Sequence, residues 1–476
     1  MRRRRPLAVP AGSAVAAAAC VGALLAAPAG RAAEAGRPRA IAVAGASGAA
    51  LDSLARLPLR AAVERALTQY PSVGIARAAA EEARAAKGEA LAARVPSLRV
   101  SATGTRYDEP SIVSPIHDFS PGSFPPFHET VLSSNATLSY TLFDGGARGG
   151  RIRQARALLR SAESALDDAS GGLVWSVIRT YVDVVTRSRV LDAHDRRVEA
   201  LRSERSRVLQ LLEVGRAAEV DRLRIEAALA SAEADEVQAS IALDAAERDL
   251  ARLIGATQQD AAASRLVPMA LVDSRVEPRD SLRSAALDRS AALLRAQFEA
   301  AAAGAAAGAA RGARWPRLRL SGTYAYYADP DGYHADEWSG ALALTYDLFT
   351  GGATSNAIRR ADASRRAAQE RVRQATVELD RDLDRALALN RESRARVASL
   401  GSAVARYSEV ARIQRLLLES GAGTQTDYLS AEADLLTARA GLAAARADRI
   451  AARAELARVV GTLNLDWIDR NLEPEP

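Results

Sequence analysis

The 476-residue sequence has one cysteine, Cys20, and four histidines. Cys20 lies in an opening segment of a recognisable kind. Arg2 to Arg5 make a basic start, residues 14–27 an apolar core, and Ala27-Pro28-Ala29 or Ala33-Glu34-Ala35 a small-residue cleavage point. That is the pattern of a secretory signal. Without residues 1–35 the mature chain has no thiol, which excludes disulfides and cysteine chemistry. The alternative, a lipid on Cys20 after Ala17-Ala18-Ala19, conflicts with the apolar run continuing from Val21 to Ala27. Long hydrophobic runs are missing too, and this short alanine-rich core argues against a transmembrane anchor. His117, His128 and His334 fall in expected strand loops and His194 in an expected helix. None has metal-ligand spacing, so no metal site is expected. No phosphate loop, dinucleotide fingerprint or Ser/His/Asp constellation is present, which leaves no basis for an enzyme or a cofactor. The net charge of +6 drops to +2 when the signal's five arginines and one glutamate are removed, so basicity does not point to nucleic acid.

What the sequence does contain is one junction, twice. Residues Trp338 to Leu348 alternate apolar and polar, the period of a half-buried strand. They run into Tyr346-Asp347-Leu348-Phe349-Thr350-Gly351-Gly352 and then a long Ala/Arg/Glu/Leu stretch that reads as helix. Thr350 is the expected N-cap, and the glycine pair supplies the backbone freedom for a strand-to-helix elbow. The earlier copy is Tyr140-Thr141-Leu142-Phe143-Asp144-Gly145-Gly146. From Gly145 to Gly351 is a step of 206 residues, and the same step carries Gly215 to Gly421, Asp221 to Asp427 and Gly255 to Gly461. Upstream of the elbows the step is 220, from Pro96 to Pro316 and Leu98 to Leu318. A register held this far is a tandem duplication. The 14 extra residues of the first copy belong in the proline-rich loop holding Pro110, Pro115, Pro121, Pro125 and Pro126.

The chain divides into a signal (1–35), a flexible leader (36–56), a first repeat (57–256), a linker (257–277), a second repeat (278–462) and an irregular tail (463–476). Each repeat begins with a helix, in the first copy residues 59–93 broken at Tyr70-Pro71. Pro96 and Pro316 then open alternating strands, and a second strand leads to the elbow. Each strand has roughly the ten residues that cross a bilayer when tilted. Two proline-free stretches follow, residues 147–212 and 353–418, each about 100 Å long as straight helix. Gly171-Gly172 is a possible kink in the first. Apolar spacing at 198, 201, 205, 208, 212 and at 404, 407, 411, 414, 418 reads as a coiled-coil seam. Each long helix ends at a glycine turn, and a returning helix follows.

Four strands cannot close a membrane barrel, and lipid does not tolerate an open sheet edge. Several subunits must therefore share one barrel in outer-membrane lipid, with their helices bundled on one side. The repeated Leu-Phe-x-Gly-Gly elbow, the x-Pro-x-Leu strand start, the Gly-x5-Asp turns and the duplication resemble the TolC-like outer-membrane efflux proteins over residues 59–460. The resemblance implies a mainly α fold with a transmembrane β part. It also implies a homotrimer with a 12-stranded β-barrel, a periplasmic α-barrel and an equatorial belt. It implies a passive conduit of a tripartite efflux or type I secretion system, docked through its helical tips to a periplasmic adaptor and an inner-membrane pump. In the family an aspartate pair lines the periplasmic aperture. Asp427 matches the first, Ser430 stands at the second, and Leu418 replaces a latch tyrosine. Gly215, Asp221, Gly421, Thr424 and Asp427 are thus the candidate tip residues. Asp221 and Asp427 are equally readable as helix-start carboxylates, with Thr424-x-x-Asp427 a capping box. A periplasmic coiled-coil stalk is the alternative function; it explains the helices but not four duplicated strands.

Overall fold

The computed structural model describes residues 56–117, 124–257, 265–272 and 276–475. The expected signal, nearly all of the leader, and Pro121 lie outside them. The first repeat runs β1 (Arg56–Leu57), α1 (Leu59–Gln69), α2 (Pro71–Ala92), β2 (Ser97–Ile112), β3 (Phe127–Phe143), α3 (Ala147–Glu213) and α4 (Glu219–Ile254). After β4 (Arg265–Leu266) and β5 (Met269–Leu271) the second repeat follows. It comprises α5 (Arg279–Arg289), α6 (Ala291–Gly312), β6 (Arg317–Ala328), β7 (His334–Thr345), α7 (Ala353–Glu419) and α8 (Gln425–Val460). α9 (Leu465–Asn471) and β8 (Leu472–Pro474) close the chain. The duplication is metric: α1 and α5 have 11 residues each, α2 and α6 22, α3 and α7 67, α4 and α8 36.

The four long strands form one antiparallel sheet in the order β2-β3-β6-β7. Pairing puts Leu98, Leu138, Gly322 and Gly340 in one row and Val100, Ala136, Tyr324 and Trp338 in the next. Directly paired residues point to one side of a sheet, so every expected apolar run shares one face. That face is bare in the protomer, with Trp338 80% and Leu98 68% exposed. The other face carries rows such as Arg99, Thr137, Thr323 and Ser339. From Leu132 to Leu142 on β3, strand rise and a tilt of ~40° give an apolar band about 26 Å tall. Among the described residues no helix is long and apolar enough to cross a membrane.

The strands depart from expectation in three places. β2 runs on through Pro110, which was expected in the loop, and the register shifts between Arg106 and Ser111. Proline has no N–H to give the ladder, so an irregularity accommodates it. His128 and His334 are strand residues rather than loop residues. β7 stops at Thr345, short of Leu348, because it is a free edge with no neighbour to hold its last residues; Leu348 and Phe349 are 86% and 90% exposed. The longer first hairpin reaches the second at its tip, where the Ser114 and Tyr333 hydroxyls are 3.1 Å apart and His117 lies 3.2 Å from Glu337.

α3 and α7, about 100 Å each, pass through their full lengths as helix; Gly171-Gly172 does not interrupt α3. The seam holds where it is apolar. Val198, Leu201 and Val208 pack on Ile225 and Ala232 of α4, and Ala411 on Ala431 and Leu435 of α8. Arg205 and Tyr407, at seam positions, turn outward, and Arg205 lies 3.4 Å from Glu226.

The main core lies midway along the helices. Leu59, Val63, Val177, Ile178 and Leu250 meet Ile450, Trp467 and Leu472 there. The tail is therefore not irregular. Asn464 caps α9 by accepting the Trp467 N–H at 2.9 Å, and Trp467 and Ile468 are buried. β8 pairs with β5 and β1 with β4, so both ends of the described chain are sewn to the linker. Tyr181 on α3 fastens this belt. Fully buried, its hydroxyl donates to the Leu57 carbonyl at 2.7 Å and accepts the Val267 N–H at 2.8 Å. Burial pushes its pKa up to about 12, against a smaller lowering by the Val267 backbone. The second repeat has no such cover. Where the first has Leu59, Val63, Val174 and Ile178, it has Arg279, Arg283, Asp380 and Asp384, joined Arg279–Asp384 and Arg283–Asp380 at 2.6 Å each.

Candidate functional site

The end of the helices far from the sheet is made by two matching turns. α3 closes with Gly215 at φ 73° and α7 with Gly421 at φ 74°, a left-handed conformation natural to glycine. The Arg216 N–H donates to the Leu211 carbonyl at 2.7 Å, and the Ala422 N–H to the Leu417 carbonyl at 2.9 Å. Both bonds occupy carbonyls that the helix ends would leave open.

The returning helices start differently. In α8 the Thr424 hydroxyl accepts the Asp427 N–H at 3.2 Å and donates to its carboxylate at 2.7 Å. In α4 the cap position is Ala218, which has no side-chain acceptor; there the Asp221 carboxylate accepts the Ala218 N–H at 3.2 Å. Both acids thus do local work at a helix start while remaining solvent-accessible. Ser430 is exposed one turn on from Asp427. Each acid bonds within its own turn.

Beside these turns lies a polar network that sequence reasoning missed. Arg415 of α7 reaches Glu432 of α8 at 2.9 Å and stands 5.9 Å over the ring of Tyr428. Arg207 of α3 holds Glu204 and reaches the Gln425 side-chain Oε1 at 3.5 Å, joining the two hairpins. Gln425 is buried, and its side-chain amide nitrogen has no partner in the protomer. Burial, then Glu432, raise the Tyr428 pKa. The sequence signal was faint: Arg415 and Tyr428 are 13 positions apart and meet only because the hairpin folds back.

At the opposite end stand the elbows. Gly145, Gly146, Gly351 and Gly352 all have positive φ, from 57° to 84°. The formal caps are Gly146 and Gly352, not Thr350. The side chains two positions earlier still serve, Asp144 accepting the Arg148 N–H at 2.6 Å and Thr350 the Thr354 N–H at 3.4 Å. Arg148 also donates to the Thr141 carbonyl at 2.9 Å and lies over Tyr140. Pro96 and Pro316 sit between the ends of α2 and α6 and the strands they precede, where a residue without an N–H cannot extend the helix. Among the described residues no group of three or more His, Cys, Asp or Glu could hold a metal.

Comparison with solved structures finds the same fold. A membrane protein from Pseudomonas aeruginosa superposes with a TM-score of 0.73 at 23% identity, covering 85% of this chain and 93% of that one. The outer membrane protein VceC from Vibrio cholerae gives 0.69 at 19%, covering 85% and 96%. The Campylobacter jejuni CmeC outer membrane channel gives 0.72 at 16%, covering 85% of each. Comparison with curated protein sequences returns no significant match. The outer membrane efflux protein model matches residues 62–256 and 282–462, one match per repeat. The chain belongs to the outer membrane efflux protein family.

Proposed function

We propose that three copies of this outer-membrane efflux channel subunit close into one 12-stranded barrel, and that their helices form a passive conduit engaged at its tips by a periplasmic adaptor and an inner-membrane pump. The observation that carries the assembly is a four-stranded sheet with an apolar outer face and two unpaired edges, β2 and β7. In lipid such edges have no water to satisfy them, and copies of themselves do so at no cost in polarity. A stalk without a conduit has no use for that face. Mass measurement in mild detergent tests the assembly, three chains being the expected result and a stable monomer the refuting one.

Within this reading the turns at Gly215 and Gly421 form the periplasmic mouth, and three copies of Asp427 ring the entrance. Ringed carboxylates favour cations. Ser430 in place of a second acid makes the ring weaker than a paired one. The Asn side-chain oxygen still accepts the Thr424 hydroxyl, so Asp427→Asn separates charge from structure. Single-channel recordings should show lower cation preference and weaker multivalent-cation block with the trimer intact. Traces identical to the parent's would leave Asp427 a capping residue only.

A further inference from the structure

The polar face of the sheet is not uniform along its length. β2 and β6 start level with the elbows, Ser97 pairing with Ser139 and Arg317 with Thr345. The third residue of each is an arginine on the polar face, Arg99 opposite Thr137 and Arg319 opposite Thr141. The step of 220 carries one onto the other. Arg317, two residues before Arg319, shares the face by strand alternation. All three are exposed. Farther from the elbows the rows are Ser101, Asn135, Ala325, Glu337 and Thr103, Ser133, Tyr327, Ala335. Their one charge, Glu337, has His117 3.2 Å away.

The arginines are poorly neutralised. Among the described residues neither Arg99 nor Arg319 has an ion pair, and Arg317 has only Asp347 at 3.8 Å. Serine and threonine show that hydroxyls suffice to keep this face wet. Grouped like charges repel one another, so these cations cost stability with no partner in the protomer to offset it. Arginine that reaches for lipid headgroups lays its stem along apolar surface, and these three are on the opposite face.

We propose that Arg99, Arg317 and Arg319 form an anion-selective collar inside the barrel, where it meets the helices, and that the conduit carries solutes bearing oxyanion groups such as carboxylate or phosphate. This rests on the three-copy conduit proposed above and names what it carries. Twelve strands ~4.8 Å apart and tilted by ~40° make a wall of radius ~12 Å. Long guanidinium side chains reaching inward from that wall come within about one Debye length, ~8 Å, of the axis. Their field therefore spans the opening.

Three arginines less Asp347 leave +2 in each copy, hence +6 in three copies. Because Arg99 and Arg319 are equivalent positions of the two repeats, the charge is spread around the ring rather than gathered at one subunit. A ring of arginines admits anions and repels cations. Each guanidinium also matches a carboxylate or phosphate with two parallel hydrogen bonds. Asp427, at the far end of the helices, has the opposite sign, so the two ends of the conduit select separately.

Full-length protein reconstituted in planar bilayers tests the collar. In a KCl gradient, Arg99→Gln with Arg319→Gln should lower chloride permeability relative to potassium at least ~3-fold. Arg99→Lys with Arg319→Lys keeps the charge and should stay near the parent. Citrate or pyrophosphate added on the barrel side should block the parent, and block the glutamine variant at least ~10-fold more weakly. The stronger blocker names the oxyanion. Trimeric glutamine channels with the parent's chloride preference overturn the collar, as does an equal loss in the lysine pair. A parent that neither anion blocks also overturns it, and that readout needs no variant. A stable monomer, or trimers that never conduct, would overturn the conduit reading instead.

Discussion

Removing one oxygen atom from Tyr181 should open the belt. Tyr181→Phe keeps the ring in the core and deletes the hydroxyl that accepts the Val267 N–H at 2.8 Å and donates to the Leu57 carbonyl at 2.7 Å. Each buried backbone group left without a partner costs about 1–3 kcal/mol. Charging only the carbonyl of buried Leu57, whose strand pairs with β4, in full, the belt loses about 2 kcal/mol of local protection, or ~30-fold in opening equilibrium. Hydrogen exchange of a peptide covering residues 265–272 reads this directly. The expected result is exchange ~30-fold faster there and no change at the tip of α3. Acceleration below about threefold would refute the role given to this hydroxyl. Alkali supplies an independent arm. The phenol is raised from its ordinary value to about 12, so its contribution is complete below the unfolded pKa of 10.0 and disappears as pH rises through 12. The parent belt should loosen across that window, and Tyr181→Phe should remove the alkaline step.

Gly145→Ala places a Cβ 2.4 Å from a backbone oxygen that cannot move aside, and should lower assembled protein in the outer membrane far more than Gly146→Ala, which meets nothing within 4 Å; equal yields on immunoblots would contradict this. Arg283 and Arg279 hold Asp380 and Asp384 below the usual carboxylate range. A depressed acid stabilises above its unfolded pKa and stops doing so as pH falls through the folded one, so α5 should loosen on α7 only below about pH 4. Pepsin cleavage in α5, compared with the double variant Asp380→Asn and Asp384→Asn, checks it: lowering the pH should speed cleavage of the parent and leave that of the variant nearly unchanged. Trp467→Ala should cost about 3–5 kcal/mol of local stability and free the C-terminal residues, visible as trimming by carboxypeptidase; an untrimmed variant would show that α9 is held by other contacts.

The sheet and the two steps of 206 and 220 were legible because a strand half in lipid alternates strictly, and because elbow glycines have few substitutes. The belt was not. β4, β5 and β8 have two or three residues each, too few for any period to appear. The capped start of α9 at Asn464 was readable in principle, but seven residues fall below the length at which helical spacing convinces. Nothing along the sequence singles out Tyr181, since its partners are backbone groups 124 and 86 positions away. At the tip the turns and acids were visible as local signals. The Arg415–Tyr428–Glu432 and Arg207–Gln425 contacts cross between helices, and no spacing along one helix announces them.

The belt also sets a clock. Among the described residues β5 pairs with β8, whose last residue is Pro474, and the core around Leu59 is completed by Trp467 and Leu472. The first repeat by itself completes the cluster around Val198 and Ile225, but not this central core. Contacts that span some 400 positions are slow to form and wait for the residues from Trp467 to Pro474. Maturation of the belt is thereby tied to the arrival of residues 465–474: a chain cut before Leu465 keeps its hairpins and coiled coils but lacks the partners of β5 and Leu59.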